Sequence, residues 1–306
     1  MIYTLTLNPS IDYVIYPENP IQIGKLNRFE KSDKYPGGKG INVSRILNEL
    51  SIQSVALGFV GGFTGKFIVD QLNQSGISNR FITIDEDTRM NVKLKGTAET
   101  EINGAGPYIN TDKQEELLQQ FKELEEDDIV VLAGSKPSSL PEDFYQTLIA
   151  CIEERGAAFA IDTTGDELIN ALSYRPLLVK PNKEELEKLY STVLSEDKDI
   201  VQCGKDLLSK GAEHVIISMG KDGAFLITAE AVYHGQTEPG KLVNSVGAGD
   251  SMVAGFIGKF QETGNPIESF QYSLACGSAT AFSDDLASLK DIENLANKVS
   301  VIQLID

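Results

Sequence analysis

Residues whose rarity usually announces chemistry are scarce in this chain: there is no tryptophan, and only two histidines and three cysteines occur among 306 residues. Cys151, Cys203 and Cys276 are too few and too widely spaced for a disulfide framework or a C-x-x-C metal site. They read as reduced, mostly buried thiols. His214 and His234 have no partners at metal-ligand spacing, which excludes a histidine-based metal centre. Also absent is any apolar run near the ~20 residues that span a bilayer. The opening Met1-Ile2-Tyr3-Thr4-Leu5-Thr6-Leu7-Asn8-Pro9 lacks the basic stretch of a signal peptide and reads as a strand. The expectation is a soluble cytoplasmic protein that has no membrane partner. Basic side chains are in deficit, with 27 Lys and Arg against 45 Asp and Glu, for a formal charge of −18. That balance argues against nucleic acid as a partner. An anionic substrate would need a local basic cluster to overcome it.

The common nucleotide signatures are missing as well. None of the Gly-Lys pairs beginning at 24, 38, 65, 204, 220, 240 and 258 is followed by Ser or Thr, so no Walker A loop is present. Gly58, Gly61, Gly62 and Gly65 follow a strand and open a helix, but their spacing is not G-x-G-x-x-G. A tight turn accounts for them, and a nicotinamide enzyme is not expected.

From the middle of the chain onward, short β-rich runs alternate with amphipathic helices. Strands are expected at 129–134, 157–162, 177–180 and 214–218, and helices at 113–126, 142–154, 183–190 and 201–210. This is the pattern of an α/β fold with a mainly parallel central sheet and helices on both faces. Ligands in such folds sit beyond the carboxyl ends of the strands, where Gly134-Ser135, Asp162-Thr163, Asn182 and Ser218-Met219-Gly220 fall. Segments 10–34 and 88–107 lack helical periodicity and read as short antiparallel strands forming a small β-sheet lid. No linker divides residues 1–306, so a single domain is expected.

What is present concentrates in three glycine-rich or capped turns. In Gly247-Ala248-Gly249-Asp250 two glycines and an alanine precede an Asp, and an apolar helical run follows. Such a turn offers backbone N–H groups to an anion at a helix N-terminus and sets a carboxylate beside it. A carboxylate there has a purpose if it takes a proton from something attacking a phosphoryl group. Pro36-Gly37-Gly38-Lys39-Gly40-Ile41-Asn42 also opens a helix, and three glycines around a lysine exceed what capping needs. Close approach of a ligand, with Lys39 and Asn42 as donors, is the favoured reading. Asn182 and Glu185 have capping-box spacing, and a cap alone explains them. The other reading has them ordering the water around a magnesium ion. Ser218 to Gly223 reads as a turn between paired strands.

Taken together and in this order, with Thr4 to Asp12 at the start, these motifs resemble the ribokinase-like (PfkB) carbohydrate kinases along essentially the whole chain. The resemblance is strongest to the branch acting on phosphorylated ketohexoses, through Asn8 to Asp12, Leu26-Asn27-Arg28, Thr88 to Val92 and Thr100 to Gly104. It implies ATP and Mg2+ as cofactors and a small-molecule sugar phosphate as partner. The expected reaction is phosphorylation of fructose 1-phosphate at C6. Phosphorylation of tagatose 6-phosphate at C1 is the alternative, and a non-catalytic sugar-phosphate binder is the alternative of another class. The resemblance makes Asp250 the base and the N–H groups of Gly247, Ala248 and Gly249 the anion hole. Asp12, Gly37, Gly38, Asn42, Asn91 and Asn103 are the candidates for the sugar, and Lys25, Arg28, Lys39 and Arg89 for its phosphate. Lys180, Ser218, Gly220, Gly223, Cys276 and Ser278 would meet the nucleotide, with Asn182 and Glu185 holding the metal through water. An exposed lid edge invites a homodimer.

Overall fold

Every residue from Ile129 to Ala133 is apolar and buried, as a central strand covered on both faces requires. Val130 and Leu132 enter one core while Ile129, Val131 and Ala133 enter another, following the two-residue alternation of a strand. The computed structural model describes residues 1–96 and 99–304; Thr97 and Ala98, inside the expected lid segment 88–107, lie outside the described residues.

In chain order the first elements are β1 (Ile2–Thr6), β2 (Ser10–Pro17), β3 (Phe29–Gly37), α1 (Lys39–Glu49), β4 (Ser54–Gly61), α2 (Gly62–Gln74), β5 (Ser78–Asn79), β6 (Ile82–Ile84), β7 (Arg89–Lys95) and β8 (Glu99–Asn103). Next come α3 (Thr111–Phe121), β9 (Ile129–Ala133), α4 (Phe144–Glu154), β10 (Ala158–Asp162), α5 (Asp166–Leu172), β11 (Leu178–Val179), α6 (Lys183–Leu189), α7 (Asp197–Ser209) and β12 (Val215–Ser218). The chain finishes with β13 (Ala224–Ile227), β14 (Val232–Gln236), α8 (Ala248–Thr263), α9 (Pro266–Ala281), α10 (Leu289–Ala296) and β15 (Ser300–Leu304).

The large sheet has the order β15-β14-β13-β12-β11-β10-β9-β1-β4-β5, with β6 also on β4. It is parallel from β12 to β5 and antiparallel from β12 to β15. Helices α3 to α7 pack on one face, and α1, α8, α9 and α10 on the other. The strand order reverses at β1 and β9, which puts a ligand crevice beyond their carboxyl ends. No helix among the described residues is long and apolar enough to cross a membrane.

The small sheet has the order β3-β2-β7-β8. Its two hairpins are antiparallel as expected, but β2 pairs with β7 in parallel. The reason is the path of the chain, which leaves β3 through α1, β4 and α2 before β7 returns alongside β2. A crossover of this kind delivers a parallel neighbour. Two helices also differ from the sequence reading. α7 begins at Asp197, before the first apolar residue, because Asp197 and Asp199 suit the positive end of a helix. α3 starts at Thr111 under the cap of Asn110 and stops at Phe121, where turns take over.

Candidate active site

The glycine-rich turn becomes the start of α8. Gly247 caps it in the left-handed region, at φ 80°, a conformation that favours glycine. No side chain caps this helix; the Ala248 N–H makes a long 3.4 Å bond to the Ser245 carbonyl, and the N–H groups that follow it in the first turn can meet an anion. Asp250 follows in the first turn and is buried. Its Oδ2 accepts a hydrogen bond from Asn42 Nδ2 at 2.8 Å, which ties the Gly247 turn to the Gly37 turn across 208 residues of sequence.

Behind Asp250 lies a group of charges, with Asp162 and Lys180 buried and Lys39 half-buried. Asp162, at the carboxyl end of β10, is held by Lys39 Nζ at 3.2 Å and Lys180 Nζ at 3.6 Å. Burial pushes the Asp162 carboxyl up, but Lys180 and Lys39 outweigh it and hold the group ionised. Asp162 in turn raises the pKa of Lys39. Lys180 Nζ is 3.0 Å from where a β-carbon on Gly249 would stand, so its charge flanks the anion turn. Asp250 responds to all of this. Burial, followed by the charge of Asp162, raises its pKa to about 6, against the opposing pull of Lys39, Asn42 and Lys180. A carboxylate in that range is ionised at neutral pH yet basic enough to take a proton.

On the lid side, Asp12 accepts from Ser10 Oγ at 2.8 Å, Asn91 Nδ2 at 3.2 Å and Lys93 Nζ at 2.7 Å. A β-carbon on Gly37 would lie 2.5 Å from Asp12 Oδ1, so the glycine makes room for that carboxylate. Arg89 donates to the carbonyls of Gly104 at 3.1 Å and Asn8 at 3.0 Å, and its buried Nε has no partner. Burial lowers the Arg89 pKa, with Asp12 opposing. A cleft between lid and body is lined by Asp12, Asn42, Arg45, Lys93, Lys95 and Asn244, among others.

At the far strand ends, Asn182 and Glu185 make both bonds of the capping box, at 2.8 and 2.9 Å. Asn182 bridges to Ser218, bringing these two predicted residues together. Gly220 opens a turn with nothing near its missing side chain. Gly223, by contrast, is required because a β-carbon would strike the Gly235 carbonyl. Ser278 is half-buried and accepts from Thr237 Oγ1.

The structure does not bring every predicted residue to the cleft. Lys25 and Arg28 are exposed on the loop joining β2 and β3, at the end of that hairpin opposite Ser10 and Gly37. Five residue steps of strand, from Asp12 to Pro17, put the start of that loop roughly 17 Å from Asp12. Asn103 is exposed and turned to Glu101. Cys276 is fully buried against Gly255, where α9 approaches α8, and burial pushes its thiol up. Lys39 is paired with Asp162. The sequence reading missed Lys93, Lys95, Arg45 and the shared role of Asp162. Lys93 and Lys95 could have been found by the two-residue strand repeat from Arg89 and Asn91, which places all four on one face.

The pfkB family carbohydrate kinase profile matches residues 5–291. The chain is 47% identical to the 1-phosphofructokinase of Bacillus subtilis over 304 residues, covering 99% of this chain and 100% of that protein. It is 36% identical to the D-tagatose-1-phosphate kinase of Bacillus licheniformis, covering 99% and 100%. Among solved structures it resembles Escherichia coli phosphofructokinase-2 in complex with substrates and products, at 29% identity and a TM-score of 0.92, covering 97% of this chain and 98% of that one.

Proposed function

The chain belongs to the pfkB family of carbohydrate kinases and is a phosphotransferase, and on that premise we propose that it transfers the γ-phosphoryl group of ATP to the C6 hydroxyl of fructose 1-phosphate, giving fructose 1,6-bisphosphate. The observation that carries the reading is Asp250: a buried carboxylate of pKa about 6, in the first turn of a helix that no side chain caps. A pure binding protein has no use for such a group. The substrate assignment is supported by the 1-phosphofructokinases of Bacillus subtilis and Borreliella burgdorferi, at 47% and 40% identity.

In this reading the acceptor occupies the cleft under the lid, its hydroxyls against Asp12 and Asn42 and its phosphate near Arg89. Asp250 takes the proton from the attacking C6 hydroxyl. Asn42, bonded to Asp250 Oδ2, holds the carboxylate in one orientation. The N–H groups at the start of α8, with Lys180 and Lys39 beside them, stabilise the charge spreading over the transferring phosphoryl group. Closure of the small sheet over the sugar keeps water from competing.

Mg2+ fits the donor set. No group of three or more acidic, histidine or cysteine side chains suited to a metal occurs among the described residues. Mg2+ bound to a nucleotide keeps most of its waters and needs only one or two carboxylates. Glu185 uses Oε2 in the capping box, and its other oxygen remains to hold the metal through water, beside Asn182. When bound, the ion neutralises phosphate charge.

The loop joining β2 and β3 exposes Ile23, at 98%, and Leu26, at 78%, and we read this surface as the seat of a homodimer through the lid. Lys25 and Arg28 would then lie at the subunit interface. Free cysteines and the absence of a membrane-spanning helix among the described residues support a cytoplasmic enzyme. The decisive measurement is kcat/KM for fructose 1-phosphate, tagatose 1-phosphate, tagatose 6-phosphate and fructose 6-phosphate side by side. Fructose 1-phosphate is expected to be highest; a higher value for any other acceptor would overturn the assignment.

A further inference from the structure

Lys93 is a charged residue only 6% exposed, on the inner face of the small sheet, with its ammonium 2.7 Å from Asp12 Oδ2. A buried ion pair is poor value for stability, since apolar side chains of similar volume usually serve as well or better. A lysine at this position therefore calls for a purpose beyond packing.

The hydrogen bonds around Asp12 suggest one. An ionised carboxylate has about four lone-pair sites, two on each oxygen. Oδ1 already accepts from Ser10 Oγ and Asn91 Nδ2, and Oδ2 accepts from Lys93 Nζ. One site on Oδ2 is left. Asp12 can therefore receive one sugar hydroxyl and not two. The Lys93 ammonium carries two more N–H groups, and both residues line the cleft between lid and body. The pair thus offers one acceptor next to cationic donors, matching two neighbouring hydroxyls in which one donates and the other accepts. Phosphate is a poorer match, because Asp12 already balances the charge of Lys93. Arg89, whose guanidinium bonds to backbone carbonyls among the described residues, is the better cation for phosphate.

We propose that Lys93 is a positioning residue for the acceptor sugar: it fixes the one open face of Asp12 and supplies the donor for the hydroxyl next to the one that Asp12 receives. This rests on the reading that Asp12 meets sugar hydroxyls of a ketohexose phosphate. Lys93 comes from β7 and Asp12 from β2, 81 residues apart in sequence, so the recognition unit exists only when the two strands are paired.

The test uses the full-length enzyme with fructose 1-phosphate and ATP. Wild-type turnover comes first, and its absence would refute the parent reading itself. Given turnover, Lys93→Met is expected to raise the acceptor KM at least 30-fold, leave the ATP KM within twofold, and lower kcat less than fivefold. Lys93→Arg should recover part of the acceptor KM, which a purely structural role would not require, and it stands alone as the test if Lys93→Met fails to fold. The double variant Asp12→Asn/Lys93→Met should be no worse than Asp12→Asn, because both changes remove one unit. An acceptor KM within twofold of wild type in Lys93→Met, or losses that multiply in the double variant, would overturn the proposal while leaving the activity in place.

Discussion

Replacing Asp250 with Asn separates the two consequences of burying a carboxylate at the centre of the site. Turnover should be lost, because the amide cannot accept the hydroxyl proton. Stability should move the other way, by an amount that follows from the carboxyl group's environment. In the folded protein its pKa is raised from the ordinary 3.8 to about 6, first by burial and then by Asp162. A group whose folded pKa lies above its unfolded value stabilises the protein fully below the unfolded value. That stabilisation is lost as pH rises through the folded value. Wild type therefore gives up stability between about pH 4 and 7, and at 1.36 kcal/mol per pH decade the loss is about 3 kcal/mol. The Asn variant does not titrate and keeps it. Relative to wild type the variant should gain about 3 kcal/mol from pH 4 to pH 8, on the order of 5–10 °C in Tm for a chain of this size. The assay is thermal unfolding of both proteins, without ligands, at half-unit steps across that range, alongside ADP release at each pH. A stability difference that does not change with pH, or one that falls as pH rises, would refute the electrostatic account of the site. Near-normal kcat in the variant would refute the base assignment.

Other perturbations reach the same network from different sides. Asn42→Ala removes a buried bond to Asp250 worth about 1.5–3 kcal/mol for a charged acceptor, so the acid limb of the kcat profile should move from about 6 to roughly 7–8. An unmoved limb in an active variant would show that Asp250 does not set it. Arg89→Ala should raise the acceptor KM roughly 10- to 150-fold, as expected for a charge-assisted contact to phosphate. The ATP KM should stay within twofold; a change in both would remove Arg89 from the acceptor phosphate. Ile23→Asp, on the exposed hairpin loop, should shift a lid-mediated dimer towards monomer in sedimentation velocity, whereas an unchanged oligomer would place the interface elsewhere.

The parts of this structure legible in the sequence are those set by local rules. Apolar runs ending in glycine or aspartate marked β9, β10 and β12. The glycine turns at Gly37 and Gly247 could be read because glycine at a helix entry leaves few alternatives. Asn182 and Glu185 adopted the capping box that their spacing suggested. What escaped depends on partners distant in sequence. Asp162 could be seen as a strand end, but its sharing between Lys39 and Lys180 follows from the ends of β10 and β11 meeting the start of α1. Lys93 sat in a run without helical periodicity, and its value comes from Asp12 on a strand reached only through the crossover. The place of Lys25 and Arg28 was illegible because charge counting ignores how far a hairpin extends. The parallel pairing of β2 with β7 was illegible for a similar reason, since neither strand carries a local mark of its neighbour's direction.

That parallel pairing also bears on the order in which the protein assembles. The hairpins β2-β3 and β7-β8 each pair strands close in sequence and can form early. Joining them matches Ser10 with Arg89 across the whole α1-β4-α2 unit, a closure that becomes favourable only after that unit has docked on the large sheet. The acceptor cleft, with residues from both hairpins, is then among the last regions to acquire protection from hydrogen exchange during refolding. A refolding chain would thus dock α1 on the large sheet before it could hold a sugar.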